Sequence, residues 1–351
     1  MPKYTSCRVM LVSANADLAL NVARCAGRGY SIHAAIAGSL GSLAKSRAVR
    51  AVHRLSHAAL EGDCKELLTL LERQCNDSNP WVILPVDVAA HLAIARVRHL
   101  LPSLRVFPTA TEKLIRRMAN KEWLTRYAAR LGLAVPGTKV LRSTCSAPCR
   151  SLNFPVIVKP VHGEGGVHYP CAATMEELSA ILNNAQPRPH APSLVQELVV
   201  GDDVGVSVLA DGGSILAWTV QRHLPRKRLL FDAYPPALEA VRKLIAATGY
   251  SGVAHFDFID APGKHAPLLL ECNPRFWATT PAAHAAGVCF PSLAIRLALG
   301  QCLPPMAPIS KTIVRRTPLT ARLTDPLCEI SAHWAKLLRH ILRSQALAVA
   351  T

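Results

Sequence analysis

Two short apolar segments late in the chain carry oxygen-bearing side chains of the kind that bind a metal ion. The first holds Asp257, and the second ends at Glu271, with Asn273 two positions further on. Because side chains alternate along a strand, Glu271 and Asn273 share one face of the second segment. By the same alternation, His255 shares a face with Asp257. Carboxylate and amide oxygens are hard ligands suited to Mg²⁺, with Mn²⁺ as the alternative ion.

The short connection between these segments, residues 260–266, predicts a hairpin that brings Asp257, Glu271 and Asn273 to one surface. Arg275 adds a fixed cation that can hold a phosphoryl or carboxylate group. The alternative is that the two acids only pair with basic side chains on a solvated sheet face. We favour the metal site, because both acids lie in strongly apolar segments, where an acid needs a partner.

A second feature is a buried strand that ends in a lysine and runs into a glycine-rich loop. The strand covers residues 155–159 and ends at Lys159, and the loop runs from His162 to Gly166. Glycines let backbone N–H groups approach phosphates closely, and the lysine supplies positive charge. It is not a Walker A loop, since no Gly-Lys-Ser/Thr follows. An ordinary hairpin turn is the alternative, and the position of the lysine favours phosphate binding.

A third feature is a strand, residues 193–197, that passes through Glu197 into Gly201 and two further acids, the second being Asp203. Backbone groups of an exposed hinge of this kind can bind the edge of an adenine ring, and an acid beyond it can accept from ribose hydroxyls. Taken alone, the segment is a hairpin with a solvated acidic turn.

In their order along the chain, the three segments resemble those of the ATP-grasp superfamily, which includes D-alanine–D-alanine ligase, biotin carboxylase and the large subunit of carbamoyl-phosphate synthetase. The most specific match is Glu271-Cys272-Asn273-Pro274-Arg275, which is similar to the E-x-N-P-R strand of that family. The resemblance covers roughly residues 80 to 300 closely and the first strands more loosely, and the C-terminal segment matches nothing in the family.

The resemblance implies roles for individual residues. Asp257, Glu271 and Asn273 would bind magnesium, and Arg275 would contact phosphate or the reaction intermediate. His255 stands where several amino-acid ligases have an arginine, so His255 and Arg275 are the predicted catalytic pair. The implied ATP-binding residues are, in chain order, Lys121, Lys159, His162, Gly165, Glu197, Val199 and Asp203.

The first third of the chain contains elements that must support these residues. Short apolar runs alternate with helical patterns there, which predicts a parallel sheet with helices on its faces. No G-x-G-x-x-G motif follows the first strand, where Ser13-Ala14-Asn15-Ala16 stands instead, so a dinucleotide site is not predicted. Asp87 follows a predicted strand and is a weak candidate for the substrate pocket. A surface acid that caps the next helix is the favoured interpretation.

Later in the chain, the periodicity indicates one helix over residues 111–131 and then a strand-rich body, whereas the resemblance implies that a helix opens at Lys121. The predicted fold class is α/β and α+β: a Rossmann-like N-terminal domain (the pre-ATP-grasp domain) followed by a two-lobed ATP-grasp fold. A Pro-rich connector at 186–192 marks a joint, and a C-terminal helix is predicted over 330–347. The predicted divisions are 1–109 for the N-terminal domain, 110–190 for the small lobe, 191–305 for the large lobe with the metal site, and 306–351 for a basic extension.

The composition bounds the protein class. The chain has 351 residues, 50% hydrophobic and 18% charged, with a formal net charge of +17. The length allows two or three domains of about 100–200 residues, and the apolar fraction excludes a disordered chain. No apolar run reaches the roughly 20 residues of a membrane-spanning helix. The 11 scattered cysteines form no zinc pattern and indicate reduced thiols. We expect a cytoplasmic protein without a membrane partner.

Taken together, these features predict an ATP- and Mg²⁺-dependent ligase that joins a small-molecule carboxylate to an amine through an acylphosphate. The resemblance leaves a homodimer open. One alternative is an ATP-binding regulatory module without turnover. A nucleic-acid-binding protein, suggested by the positive charge, is disfavoured because aromatic residues make up only 5% of the chain and no recognised binding motif is present.

Overall fold

The structure is a computed structural model that describes residues 7–75, 80–163, 169–184, 192–306 and 309–315. Gly165, most of the 186–192 connector and the predicted C-terminal helix lie outside the described residues. None of the helices in the described ranges combines the length and the apolar content that crossing a membrane requires.

The first sheet is parallel and confirms the predicted N-terminal α/β architecture. Its strands are β1 (Arg8–Ser13), β2 (Ser31–Ala37), β3 (Ala51–Leu55), β4 (Trp81–Pro85) and β5 (Arg105–Val106), in the order β3-β2-β1-β4-β5. The helices of this region are α1 (Ala16–Ala26), α2 (Lys65–Gln74) and α3 (Val88–Val97). Strand β1 is buried from Val9 to Ser13, as expected for a central strand covered on both faces.

The predicted single helix over 111–131 is wrong, since the structure has two helices there. They are α4 (Glu112–Met118) and α5 (Lys121–Arg130). Asn120 separates them with an extended backbone, and its Oδ1 accepts a hydrogen bond of 2.8 Å from the Trp123 N–H. This is an N-cap, which satisfies a backbone donor at the helix start. Lys121 is therefore the first residue of a new helix.

The second sheet is antiparallel and has four strands. They are β6 (Thr138–Leu141), β7 (Val156–Pro160), β8 (Cys171–Ala172) and β9 (Ser193–Glu197), in the order β6-β9-β7-β8. Helix α6 (Met175–Asn184) packs on this sheet through Leu178 and Leu182, in a core shared with Val156 and Val195.

The third sheet has six strands and contains the predicted hairpin. The strands are β10 (Asp202–Asp211), β11 (Ser214–Leu224), β12 (Arg228–Phe231), β13 (Gly252–Asp260), β14 (Leu268–Asn273) and β15 (Thr312–Arg315), in the order β14-β13-β10-β11-β12-β15. The helices α7 (Pro235–Thr248), α8 (Thr280–Ala285) and α9 (Phe290–Ala298) accompany it. Strands β13 and β14 are neighbours, as the short connection predicts.

The chain divides into two compact units. Of the described residues, the first unit takes those up to 118, 205–256 and those from 273 onward, and the second takes 119–204 and 257–272. In the first unit, α1, α8 and α9 share a hydrophobic core with one face of the parallel sheet. Strands β13 and β14 pass from one unit to the other. The four predicted divisions of the chain stay predictions.

Candidate active site

Lys121 begins helix α5 with its ammonium group directed at two oxygen atoms of the second unit. Its Nζ donates a 3.0 Å hydrogen bond to the carbonyl of Gly163 and lies 3.3 Å from Oε2 of Glu271. The residue is 5% exposed, and its backbone N–H is bonded to the Val161 carbonyl. A buried ammonium needs such partners, because burial without them is costly. The predicted phosphate lysine and a predicted metal ligand are therefore in direct contact.

Lys159, near the end of β7, is the second buried lysine of this unit. It is 9% exposed, and burial lowers its pKa to about 8. The carboxylates of Glu271 and Asp257 oppose this shift, whereas the positive charge of Lys121 adds to it. Four of the predicted site residues thus share one electrostatic environment, with two positive and two negative charges.

Tyr169 also belongs to this environment, and the sequence analysis missed it. It lies between the end of the glycine-rich loop and β8, and it is half-buried. Burial raises the pKa of its phenol, with a lowering contribution from Lys121 and a raising one from Glu271. No spacing or motif pointed to Tyr169. Only the return of the chain beside β7 places it near the lysines.

The predicted metal ligands lie on neighbouring strands. Asp257 is on β13, whereas Glu271 and Asn273 are on β14. Within the described ranges, no three His, Cys, Asp or Glu side chains cluster as a metal site. The assignment of Asp257, Glu271 and Asn273 as metal ligands stays a prediction, and the half-buried Glu271 carboxylate lies against a cation, Lys121.

The start of the glycine-rich loop is tied to the start of α5. His162 Nε2 lies 3.3 Å from Asn120 Nδ2, and the Gly163 carbonyl accepts from Lys121. Gly163 has a φ of 135°, a backbone conformation that side-chain-bearing residues rarely adopt. The local geometry therefore requires glycine at this position, where the loop leaves the strand.

Glu197 uses its carboxylate within the fold. Its Oε1 accepts 2.8 and 2.9 Å hydrogen bonds from the backbone and side-chain amides of Asn153. A Cβ at Gly137 would lie 2.5 Å from the Glu197 carboxyl carbon, so that glycine makes room for the acid. The predicted contact of Glu197 with an adenine edge stays a prediction. Val199 and Asp203, both half-buried, stay predicted contacts of the adenine and ribose.

In the first unit, His255 is 7% exposed, and its Nδ1 lies 2.8 Å from the hydroxyl of Ser207. Its ring stacks on Trp277 with centroids 5.5 Å apart. The imidazole leans across Gly205 of β10, where a Cβ would lie 2.6 Å from His255 Cε1. The packing thus holds the predicted catalytic histidine in one orientation.

Arg275 is bonded to its own turn at the end of β14. Its Nη1 donates to the Phe276 carbonyl at 2.7 Å, and its Nη2 donates to Oδ1 of Asn273 at 3.2 Å. The predicted catalytic arginine and a predicted metal ligand are therefore coupled, since the amide oxygen has a second lone pair for a cation.

The structure contradicts the favoured interpretation of Asp87 as a surface acid. It does cap α3, because its Oδ1 accepts from the Ala90 N–H at 2.9 Å. However, it is only 5% exposed, and its Oδ2 accepts from Ser13, Ala14 and Asn15. The sequence signal was its place at the carboxyl end of a strand, where ligands and helix N-termini meet in parallel sheets.

Comparison with known proteins supports the resemblance. Residues 190–320 match the family model described as "ATP-grasp in the biosynthetic pathway with Ter operon". A 199-residue region is 28% identical to the carbamoyl phosphate synthase large chain of Clostridium beijerinckii, covering 52% of this chain and 18% of that protein. The arginine-specific large chain of Bacillus subtilis is 25% identical over 182 residues, or 48% of this chain and 17% of that one. The chain thus spans less than a fifth of the length of these curated relatives.

Solved structures share the fold over most of the chain. An L-amino acid ligase from Bacillus licheniformis has a TM-score of 0.62 at 15% identity, covering 83% of this chain and 74% of that one. An N5-carboxyaminoimidazole synthetase from Staphylococcus aureus has a TM-score of 0.65 at 13% identity, with coverages of 87% and 81%. At these identities, the likeness concerns the fold. The family model, the sequence relatives and this shared fold agree, and they confirm the predicted resemblance to the ATP-grasp superfamily.

Proposed function

We propose that this chain is an ATP- and Mg²⁺-dependent ligase that joins a carboxylate to an amine or another nucleophile and releases ADP and phosphate. The observation that carries the proposal is the buried Lys121–Glu271 contact, with Lys159 in the same electrostatic environment. Two buried lysines beside two carboxylates form a polarised site that suits a polyphosphate together with its cations.

Lys121 and Lys159 bind the phosphates in this proposal. In the structure, each ammonium is stabilised by carboxylates and carbonyls of the protein. A triphosphate supplies stronger acceptors, because charge-assisted hydrogen bonds are the strongest of their kind. Glu271 then exchanges Lys121 for a metal cation as a partner.

Asp257, Glu271 and Asn273 hold the magnesium in this proposal. When bound, Mg²⁺ neutralises charge on the transferring phosphoryl group. The protein supplies hard oxygen donors on two neighbouring strands, and Arg275 orients the Asn273 amide through its hydrogen bond to Oδ1.

The reaction follows from these roles. An oxygen of the substrate carboxylate attacks the γ-phosphorus, and the bond to ADP breaks, so that an acylphosphate forms. A nucleophile, in this proposal an amine, then attacks the acyl carbon and displaces phosphate. Arg275 holds the negatively charged phosphoryl group, and His255 donates a hydrogen bond to the oxyanion that forms at the acyl carbon. The adenine lies at the hinge of Glu197 and Val199.

The test is release of ADP and phosphate from MgATP in the presence of pools of amino acids, small carboxylates and amines. We expect release that needs both a carboxylate and an amine. Glu271→Gln should lower the rate by about 100-fold or more, because it removes a charge that holds the metal. Glu239→Gln is the matched control, since Glu239 is 69% exposed and contacts only Arg242 among its ion pairs in the described ranges. Full activity of Glu271→Gln would contradict the assigned metal site.

A second candidate is an ATP-binding module without turnover. The observation that favours it is the buried His255, whose Nδ1 is held by Ser207 at a position where several relatives have arginine. Tight MgATP binding without ADP release in any pool would support this candidate, whereas carboxylate-dependent release would exclude it.

The remaining proposals concern the setting of the reaction. We infer small-molecule substrates, a cytoplasmic location and a homodimer. Light scattering of the purified chain tests the homodimer, and a monomer mass at assay concentrations would contradict it.

A further inference from the structure

The carboxylate of Asp87 sits inside a cradle of hydrogen-bond donors in the first unit. Its Oδ2 accepts from the Ser13 hydroxyl at 2.5 Å, the Ala14 N–H at 2.6 Å and the Asn15 N–H at 3.0 Å. Its Oδ1 accepts from Ala90 at 2.9 Å. One buried side chain therefore joins the β1–α1 turn to the start of α3. This is more than an N-cap requires, since a cap satisfies donors of its own helix only.

The residue before Asp87 carries this connection to the end of β14. Val86 donates its N–H to the Val12 carbonyl at 3.0 Å, and its own carbonyl accepts the Phe276 N–H at 3.1 Å. Phe276 is fully buried, and its carbonyl accepts the 2.7 Å hydrogen bond from Arg275 Nη1. A continuous path of hydrogen bonds and one short chain segment thus links Asp87 to the guanidinium of Arg275.

Helix α3 also carries a side chain, His91, that lies close to Arg275. His91 lies one turn after Asp87, is 1% exposed, and has Nδ1 3.2 Å from the Thr109 hydroxyl. Its Nε2 has no hydrogen-bond partner in the part of the chain that the structure describes. The positive charge of Arg275 acts on this ring electrostatically. The backbone of the corner between β4 and α3 therefore contacts the turn that carries Arg275, and the His91 side chain lies close to that turn.

We propose that Asp87 is a positioning residue for Arg275, acting through Val86 and Phe276. The proposal rests on the proposed function, in which Arg275 holds the transferring phosphoryl group. Asp87 fixes the β4–α3 corner against the β1–α1 turn, and the corner in turn fixes the backbone of Phe276. When this corner is less rigid, the Phe276 carbonyl no longer holds the Arg275 guanidinium in one orientation. A preorganised site depends on such precise orientation.

Asp87→Asn isolates this role with little change in size. In either orientation of the asparagine amide, its NH2 group faces backbone N–H donors, those of Ala14 and Asn15 or that of Ala90, so at least one buried donor is left unpaired. Asp17→Asn is the matched control, because Asp17 is an exposed acid in the first turn of α1. Ser13→Ala is a milder variant that removes a single donor to Asp87 while keeping the carboxylate.

The first readout is hydrogen exchange of residues 274–280 at a temperature where each variant is folded. We expect Asp87→Asn to speed exchange of the Phe276 amide about tenfold or more, with a smaller effect for Ser13→Ala and none for Asp17→Asn. Amides of β7 and β9, in the other unit, should exchange at the wild-type rate. An unchanged exchange rate of the Phe276 amide in Asp87→Asn would overturn the proposal. This measurement requires no substrate.

The second readout separates positioning from a general loss of structure. MgATP affinity, which depends on Lys121 and Lys159 in the proposed function, should stay within about twofold of wild type, whereas ADP release per folded molecule should fall about tenfold. Faster exchange with wild-type ADP release would also overturn the positioning role. A wild-type chain that releases no ADP would refute the proposed function instead, and the exchange result would still decide whether Asp87 controls the Arg275 turn.

Discussion

Lys121 Nζ lies 3.3 Å from Glu271 Oε2, although 150 residues separate them in the chain. The lysine starts a helix, and the glutamate is near the end of a strand, so two different elements bring opposite charges together inside one unit. The contact joins a residue expected to hold phosphate to a residue expected to hold magnesium.

We expect Lys121→Met to weaken MgATP binding by about tenfold or more, because a charge-assisted contact is worth roughly 1.5–3 kcal/mol. Titration calorimetry with MgATP measures this. Lys65→Met is the control, since the Lys65 side chain is 85% exposed and its ion pair among the described residues is with the exposed Asp63. Equal affinity for the wild type and Lys121→Met would show that this lysine does not bind the nucleotide.

Nucleotide affinity should depend on the protonation of Lys159. Burial lowers its pKa to about 8, so the ammonium is fully charged well below that pH and loses its proton above it. MgATP binding should thus be strongest below about pH 8 and weaken as the pH rises further, because an anion binds the charged form. Lys159→Arg should remove this dependence, since arginine stays charged. A wild-type profile that is flat from pH 7 to pH 9.5 would contradict the prediction.

The folded protein should lose stability in mild acid. Burial and the positive charge of Arg275 lower the pKa of His91 from 6.5 to about 3, and burial also lowers the pKa values of His33 and His53. A lowered pKa means that the unfolded chain binds protons first, so stability is complete above about pH 6.5 and falls as the pH drops below it. For His91 alone, the loss at pH 5 is on the order of 2 kcal/mol.

Urea unfolding at pH 7.5 and pH 5 measures this loss. His91→Gln should reduce the difference in the free energy of unfolding between pH 7.5 and pH 5, because glutamine does not titrate. An equal difference in the variant would mean that His91 does not carry the effect.

Gly205→Ala should displace His255. The added Cβ would lie 2.6 Å from His255 Cε1 and 3.0 Å from both His255 Nε2 and Gln221 Cγ. We expect a loss of about 1–3 kcal/mol in the free energy of unfolding. ADP release should also fall, because the imidazole leaves its position between Ser207 and Trp277.

Gly29→Ala is the matched control for this substitution, since nothing lies within 4 Å of a Cβ at Gly29 and its φ is ordinary. Chemical denaturation and ADP release compare the two variants. Equal stability of both would show that the sheet accommodates a methyl group beneath the imidazole.

Much of the fold could be predicted from local patterns. Strand β9 matches its predicted range, and β7 is shifted by one residue from the predicted 155–159, because buried strands are short apolar runs bounded by turn residues. Strands β3, β12 and β15 were not predicted. These strands are only four or five residues long, and each pairs with a neighbouring strand of its sheet, which the local pattern does not reveal.

The break between α4 and α5 shows the limit of helical periodicity. The apolar pattern continues through residues 111–131, whereas Asn120 interrupts the backbone and caps the second helix. An asparagine at a helix start is a recognised signal, but it competes with a pattern that extends on both sides. The break matters for function, because it makes Lys121 a first-turn residue.

By itself, the sequence determined the chemistry that is available: two lysines at the ends of buried or capped elements, acids at the ends of apolar strands, and an order of segments that resembles the ATP-grasp superfamily. These follow from residue type and short-range spacing, which a single strand or turn already expresses. Only the tertiary structure decided that Lys121 meets Glu271, that Tyr169 joins them, and that Asp87 is a buried link towards Arg275. Contacts between residues far apart in the chain depend on how sheets and helices pack, and no local pattern contains that information.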